Sequence, residues 1–226
     1  MSLSRWCLLA AAAAVVTGLV LSPVPAAASH FRTACQLAGK ASFAQTAGTP
    51  DGYTYSFRGA LKGCLSLDSP TPPSGTVEAG HAITVPYYWS YIDELTGAAF
   101  SGNGYATYQE PGVTGSGGCA NSTSAGTAIV TWADRTTTVL AYRTTGSGAA
   151  VSLTGGVSPS LALPLTGYTG PAQAPPGASY VVVSTRFSNE AARGALFFEP
   201  PNPSLCSHAR AASAAIGGEV GLGTAV

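Results

Sequence analysis

The segment 126–146 constrains the fold more than any other part of the chain. It reads GTAIVTWADRTTTVLAYRTTG, with β-branched and aromatic residues on both sides of Asp134-Arg135. Such side chains are stiff about χ1 and suit a pleated strand better than a helix. The pattern therefore predicts a β-hairpin, and it predicts a two-residue turn at Asp134-Arg135.

The register of this hairpin follows from the turn. A two-residue turn pairs Trp132 with Thr137, and its core face then carries Ala128, Val130, Trp132, Thr137, Val139 and Ala141. A turn of this kind favours glycine at its second position, where this chain has Arg135. A four-residue loop over 133–136 is therefore the alternative.

Alternating or β-rich segments recur along the rest of the chain. The clearest is 53–65, where Tyr53, Tyr55, Phe57, Gly59 and Leu61 share one face, as in a half-buried antiparallel strand. Further strands are expected over 33–43, 75–85, 104–109, 149–157, 180–187, 195–199 and within the tail after residue 208. The prediction is an all-β fold, a single antiparallel β-barrel or β-sandwich of nine or ten short strands.

The first residues have the features of a secretory signal peptide. Arg5 supplies the positive region, 8–21 is an apolar run, and Ala26-Ala27-Ala28 is typical of a cleavage site. We expect residues 1–28 to be removed, the mature protein to be secreted, and no membrane span to remain in it.

The mature chain, 29–226, is expected to form a single all-β domain. Two proline-rich stretches, 68–75 and 158–177, are predicted to be loops, because proline denies a sheet its backbone donor. The second stretch is interpreted as a surface crossover.

Four cysteines remain after residue 28: Cys35, Cys64, Cys119 and Cys206. An even number of cysteines in an exported chain predicts two disulfides. Cys35 and Cys64 flank a predicted hairpin whose turn lies near 48–52, so their positions fall nearly opposite each other. We therefore favour Cys35–Cys64 and Cys119–Cys206.

Charge and motifs argue against several classes of function. Arg5 is the one charged residue of the leader, so the mature chain has nearly balanced charge and no basic patch for nucleic acid. The chain has no G-x-S-x-G elbow, no H-E-x-x-H helix and no cysteine pair with zinc-site spacing. We predict no catalytic residue, no metal and no cofactor.

The aromatic cluster Tyr87, Tyr88, Trp89 and Tyr91 is the candidate ligand-binding site. Aromatic rings can stack on sugars, and glycosidases use two carboxylates across a cleft. Asp93, Glu94, Glu110 and Asp134 are the available acids. The plainer interpretation is that the aromatic residues pack and that Asp134 belongs to a turn.

Three motifs together resemble a family of small secreted actinobacterial β-rich proteins. They are CQLAG from Cys35, YTYSFRGALKGC ending at Cys64, and GTAIVTWADRTTT from Gly126. The resemblance covers most of 35–157 and implies an extracellular β domain. It supplies no catalytic residues.

These observations favour a binding or cell-surface interaction module over an enzyme. Cell-wall glycan and a surface protein are the partner classes considered. The alternatives are a carbohydrate-active hydrolase that uses paired carboxylates, and a purely structural envelope protein.

Overall fold

The computed structural model describes residues 31–67, 71–170, 179–200 and 212–223. The predicted signal peptide and Cys206 lie outside these ranges. The described residues contain thirteen strands and no helix. The strands are β1 (Thr33–Gln45), β2 (Gly52–Ser66), β3 (Gly75–Ala79), β4 (Ala82–Ile92), β5 (Ala99–Gln109), β6 (Val113–Gly117), β7 (Asn121–Trp132), β8 (Thr137–Ser147), β9 (Ala150–Ser158), β10 (Ser160–Tyr168), β11 (Ser179–Val183), β12 (Ala191–Glu199) and β13 (Ser213–Leu222).

The larger sheet closes on itself as an antiparallel barrel. Going round it, the order is β1, β2, β3, β7, β8, β9, β12 and β13, and β13 returns to β1. The short strands β3 and β6 share one position, because both lie between β2 and β7, β3 along one half and β6 along the other. The prediction of an all-β fold is confirmed, and the larger sheet is a barrel.

The β1–β2 pair shows how the sequence sets the two faces of the barrel wall. Leu37 lies opposite Leu61 with both side chains buried in the core, whereas Lys40 and Arg58 pair on the outside. Successive side chains of a strand point to opposite faces, so this alternation fixes which residues line the interior. The predicted strands at 33–43 and 53–65 and the predicted turn near 48–52 are confirmed.

A second sheet of four strands, in the order β11-β10-β5-β4, is built from two hairpins that leave the barrel. One departs between β3 and β6, and the other between β9 and β12. The two sheets meet where Ile129 and Val139, on the outside of the barrel, cluster with Leu163 and Val182. The tip of β4–β5 extends beyond this contact, and its turn residue Leu95 is 97% exposed.

The predicted turn of the β7–β8 hairpin is wrong by one residue. The observed pairs are Thr131 with Thr137 and Val130 with Thr138. The loop has three residues, and Arg135 ends it in the left-handed region at φ 68°. A type I turn followed by a left-handed residue is the usual three-residue hairpin connection.

The register change alters which β8 side chains face the interior. Leu140 and Tyr142 belong to the barrel core with Trp132, whereas Val139 packs outside against the second sheet. A one-residue slip moves every side chain of a strand to the other face. Of the predicted core face, Ala128, Val130 and Trp132 are confirmed, and the β8 residues assigned to it are wrong.

The predicted bounds of one strand and one loop are also corrected. The predicted strand 75–85 is two strands, β3 and β4, separated at Gly80, whose φ is 71°. The stretch 158–177 is not wholly a loop, because 160–168 form β10. Pro164 is tolerated there because β10 ends its pairing with β11 at Pro164 and begins pairing with β5 at Leu165.

The expected number of nine or ten strands is too low, because the described residues alone contain thirteen. Gly75, predicted to end the first proline-rich loop, begins β3, and 68–70 lie outside the described residues. The predicted terminal strand is confirmed, because β13 pairs with β1 and closes the barrel.

The predicted disulfide Cys35–Cys64 is confirmed. Lys62 pairs with Gln36 and Leu65 with Ala34, so Gly63 and Cys64 together face Cys35 in a β-bulge. Gly63 adopts a φ of 57°, and the extra residue turns Cys64 inward. The predicted Cys119–Cys206 pairing involves Cys206, which lies outside the described residues.

One end of the barrel, where β7 passes to β8, is closed by Trp132. The ring is 2% exposed, its Nε1 donates to Thr138 Oγ1 at 2.9 Å, and Phe187 lies 5.9 Å away between ring centroids. We call this the Trp132 end. The opposite end, where β8 passes to β9 at Gly148, is the Gly148 end.

Candidate functional site

The aromatic residues proposed from the sequence lie on β4 in the second sheet. Tyr87, Trp89 and Tyr91 share one half-buried face, and Tyr88 points to the opposite face with 67% of its surface exposed. Trp89 stacks on Tyr91, with ring centroids 5.9 Å apart. The structure therefore brings three of the four together, and their role in ligand binding stays a prediction.

Glycines on β5 explain how these rings are seated. Gly102 lies opposite Trp89 and Gly104 opposite Tyr87, and a Cβ on Gly102 would approach the Trp89 ring to 2.6 Å. Tyr87 donates its hydroxyl to the carbonyl of Thr169 at 2.9 Å. The rings cover glycine backbone, so this face has a packing role whatever else it does.

Two of the carboxylates considered for hydrolysis serve turns. Asp93 Oδ1 accepts hydrogen bonds from the backbone and hydroxyl of Thr96, which lower the pKa of Asp93. Asp134 accepts from Thr136 and pairs with Arg186, and these contacts, chiefly the Thr136 hydroxyl, lower the pKa of Asp134 to about 2. Glu94 is exposed at the β4–β5 turn.

Glu110 is different, because it is buried where β5 leads back into the barrel. Its Oε2 accepts from the backbone N–H of His81 at 3.1 Å, and its Oε1 has no partner among the described residues. Burial raises the pKa of Glu110, and this outweighs the hydrogen bond from His81. None of the four carboxylates lines the cavity described next.

The barrel encloses a cavity of about 740 Å³. Its walls come from inward side chains of the barrel strands, including Leu37, Leu140 and Leu153. At the Gly148 end the lining includes the exposed residues Gln45 and Gly118, so the cavity reaches the surface there. No charged side chain is among the described residues that line it.

Inward glycines help to keep the barrel hollow. The Phe57 ring lies against Gly39 and Gly59, and the Tyr53 ring lies over Gly115, where a Cβ would overlap each ring. These rings pack along the wall instead of crossing the interior. Eight strands make a barrel whose interior side chains can fill or which can hold one small ligand, and here space remains.

Four hydroxyl groups form a hydrogen-bonded chain in the wall of this cavity. Tyr142 Oη lies 2.8 Å from Tyr55 Oη, which lies 3.2 Å from Ser124 Oγ. Ser124 Oγ lies 2.6 Å from Thr144 Oγ1. All four residues line the cavity, and we call this set the hydroxyl chain.

Both tyrosines of the hydroxyl chain stay neutral. Burial raises the pKa of Tyr55 and the pKa of Tyr142, and the neighbouring Tyr55 and Glu110 add to the rise at Tyr142. A neutral phenol can both donate and accept a hydrogen bond. The cavity is therefore an apolar chamber with a polar, uncharged group of atoms on one wall.

Comparisons of the chain with protein-family models, with curated proteins and with solved structures give a single result. No match is found. The resemblance to secreted actinobacterial proteins stays a prediction, and the site must be interpreted from its own chemistry.

Among the described residues, no group of three or more His, Cys, Asp or Glu is arranged to hold a metal ion. No helix in the same residues is long and apolar enough to cross a membrane.

Sequence reasoning missed the cavity and the hydroxyl chain. Tyr55 was placed correctly, on one face with Phe57 and Leu61, but the slipped β8 register kept Tyr142 from the interior. The sequence did contain one signal for the cavity, which is glycine at inward positions of alternating strands. Gly59 lies beside Phe57 on β2, and Gly126 lies opposite Tyr142.

Proposed function

We propose that this protein is a secreted binding module whose barrel takes up one small apolar molecule. The observation that carries the proposal is the 740 Å³ cavity, which lies within the size range of small-molecule sites. Such sites are mostly apolar and contain a few polar groups that fix the orientation of the ligand. The hydroxyl chain provides groups of that kind.

The energetic basis is burial of apolar surface. Each square ångström of apolar ligand surface removed from water contributes about 25 cal/mol. Ligand pockets commonly bury 70% or more of the ligand surface, and a largely preformed wall spends little free energy on ordering. The strands of the barrel are hydrogen-bonded to one another all the way round, which supports such a preformed wall.

The two other functions have less support. A hydrolase with paired carboxylates needs two acids about 5 to 10 Å apart in one cleft. The described lining contains no carboxylate, and Asp93 and Asp134 are held in turns. A purely structural role is less well supported, because the barrel interior holds a cavity that side chains do not fill.

The secreted location and the second disulfide belong to the same proposal. The Cys35–Cys64 disulfide supports an oxidising compartment, where such bonds persist. We infer that Cys119 pairs with Cys206, since four cysteines in an exported chain favour two disulfides. The sequence motif at residues 1–28 provides the export signal.

The experiment is a titration with 1-N-phenylnaphthylamine, a neutral dye that fluoresces in apolar surroundings. We expect saturable binding of one dye per chain. Ala128→Phe places a ring in the cavity and should weaken binding at least about threefold. Ala125→Phe is the matched control, because Ala125 is exposed on the same strand. Absence of saturable binding, or equal loss in both variants, would refute the proposal.

A further inference from the structure

The hydroxyl chain has a definite hydrogen-bonding capacity. Its four hydroxyls carry four protons, and three contacts join them in the order Tyr142, Tyr55, Ser124 and Thr144. Each contact uses one proton, so one O–H is always left to donate. Each hydroxyl oxygen can accept twice, so several acceptor positions also stay open.

The direction of the chain is adjustable, because either atom of each contact can be the donor. The remaining proton can be presented by Tyr142 at one end or by Thr144 at the other. Both residues belong to β8 and point into the cavity two positions apart. The same wall can therefore donate to a carbonyl oxygen or exchange hydrogen bonds with an alcohol.

Among the residues that the structure describes, the cavity lining offers nothing that compensates a charge. Its described lining has no Lys or Arg for an anion and no Asp or Glu for a cation. Moving a charged group from water into an apolar site without a partner is costly, and such a group neutralises instead.

We propose that the ligand is a neutral, mostly hydrocarbon molecule with one carbonyl or hydroxyl oxygen, which the hydroxyl chain binds while the hydrocarbon fills the cavity toward the Trp132 end. The inference rests on the proposed function and adds the chemical class of the ligand. It divides the site into two parts. The leucine and valine walls supply affinity, and Tyr55 and Tyr142 select for oxygen.

The direction of the hydrocarbon follows from where polar atoms lie. Tyr55, Ser124, Tyr142 and Thr144 occupy the half of the barrel nearer Gly148. Toward the Trp132 end the lining is Leu37, Leu61, Val130, Val220 and Leu222. An oxygen placed in that deeper part would lose its hydrogen bonds to water without replacement, at a cost in affinity.

The test displaces 1-N-phenylnaphthylamine with three ten-carbon probes: 2-decanone, decanoate and decylamine. At pH 7 we expect 2-decanone to displace the dye most strongly. Decanoate should bind more weakly by on the order of 100-fold, because only the small protonated, neutral fraction of it at pH 7 can enter the cavity. Decylamine should be weaker still, because its ammonium group gives up its proton less readily at pH 7.

The variant that removes the hydroxyl chain combines Tyr55→Phe, Tyr142→Phe, Ser124→Ala and Thr144→Val, because Ser124 and Thr144 left alone would still have one free O–H. Removing both partners of a hydrogen bond in favour of apolar groups of similar shape is nearly neutral for folding. The ketone should lose about 3- to 10-fold in affinity, the value of one neutral hydrogen bond, and the dye should bind as before. Tyr53→Phe is the matched control, since Tyr53 lines the same cavity outside the chain.

The outcomes separate the two proposals. If the dye does not bind the wild-type protein saturably, the proposed function fails and the inference fails with it. If the dye binds but a charged probe displaces it as well as the ketone does, the inference alone is wrong. The same holds if the variant without the four hydroxyls binds the ketone unchanged. If that variant loses the dye as well, decane is added as a probe of the wild-type protein, and displacement of the dye by decane as strong as that by 2-decanone overturns the inference.

Discussion

The two ends of the barrel are made from the same strands but are used differently. At the Trp132 end the interior is filled by the Trp132 ring and by Leu222, and the Cys35–Cys64 disulfide lies near that end of β1 and β2. At the Gly148 end the interior is hollow and carries hydroxyl groups. The difference indicates that the packing and the disulfide that stabilise the barrel lie at one end, whereas the opening and the polar groups of the cavity lie at the other.

This separation has a physical reason. A barrel has no exposed sheet edge, so its backbone hydrogen bonds hold along the whole length even where the interior is empty. A cavity forfeits dispersion contacts, and dense packing elsewhere must offset that loss. Trp132, fully buried and hydrogen-bonded, is the largest such contribution in the described core.

The strongest test of the comparison is Trp132→Ala. We expect the free energy of unfolding to fall by about 3 to 5 kcal/mol, because the variant leaves a cavity and deprives the buried Thr138 of its hydrogen-bond donor. Urea denaturation measures it. Trp89→Ala on the second sheet is the control and should cost less than about 2 kcal/mol, since Trp89 is only half-buried. Equal losses would contradict the assignment of stability to the Trp132 end.

The second-largest expected loss of stability comes from removing the Cys35–Cys64 disulfide. Replacing Cys35 and Cys64 together with serine should lower the free energy of unfolding by about 3 to 4 kcal/mol, the loop-closure value for their separation of 29 residues. Dye binding by the folded variant should stay within about twofold. A loss of binding with little loss of stability would show that the two ends are not separate.

The hydroxyl chain should contribute little to stability. The combined Tyr55→Phe and Tyr142→Phe variant should change the free energy of unfolding by less than about 1 kcal/mol, because both partners of a hydrogen bond are removed together. Thermal and urea unfolding measure this. A loss as large as that of Trp132→Ala would mean that the chain is structural.

The smallest effect is a pH dependence from Glu110. The pKa of Glu110 is raised in the folded state. Its contribution to the free energy of unfolding is therefore fully present below about pH 4.5 and is lost as pH rises through the raised pKa. Glu110→Gln should flatten this fall in stability above about pH 4.5. Glu94→Gln, at an exposed site, is the control and should keep the slope of the wild type.

Much of the fold was predictable from alternation, and the errors have local causes. The 53–65 strand, the terminal strand and the Cys35–Cys64 pair all followed from pattern and spacing. The β7–β8 turn did not, because a two-residue turn and a three-residue loop both place Arg135 in the left-handed region, so the sequence does not distinguish them. The one-residue slip assigns Val139 and Ala141 to the core face in place of Leu140 and Tyr142.

The candidate site was less predictable than the fold. An aromatic run such as 87–91 is conspicuous in a sequence, whereas four hydroxyl residues on three strands are not. Tyr55 and Tyr142 are 87 positions apart in sequence and meet only because the barrel closes. A cavity is a property of the closed sheet, so no local pattern encodes it directly.

The most direct measurement is a crystal structure of the protein grown with saturating 2-decanone. Our account predicts the ketone inside the barrel, with its oxygen about 2.7 to 3.0 Å from a hydroxyl of Tyr55, Tyr142 or Thr144 and its chain directed toward Trp132. An empty barrel interior at saturating ketone, or a ketone bound instead on the β4 aromatic face, would contradict it.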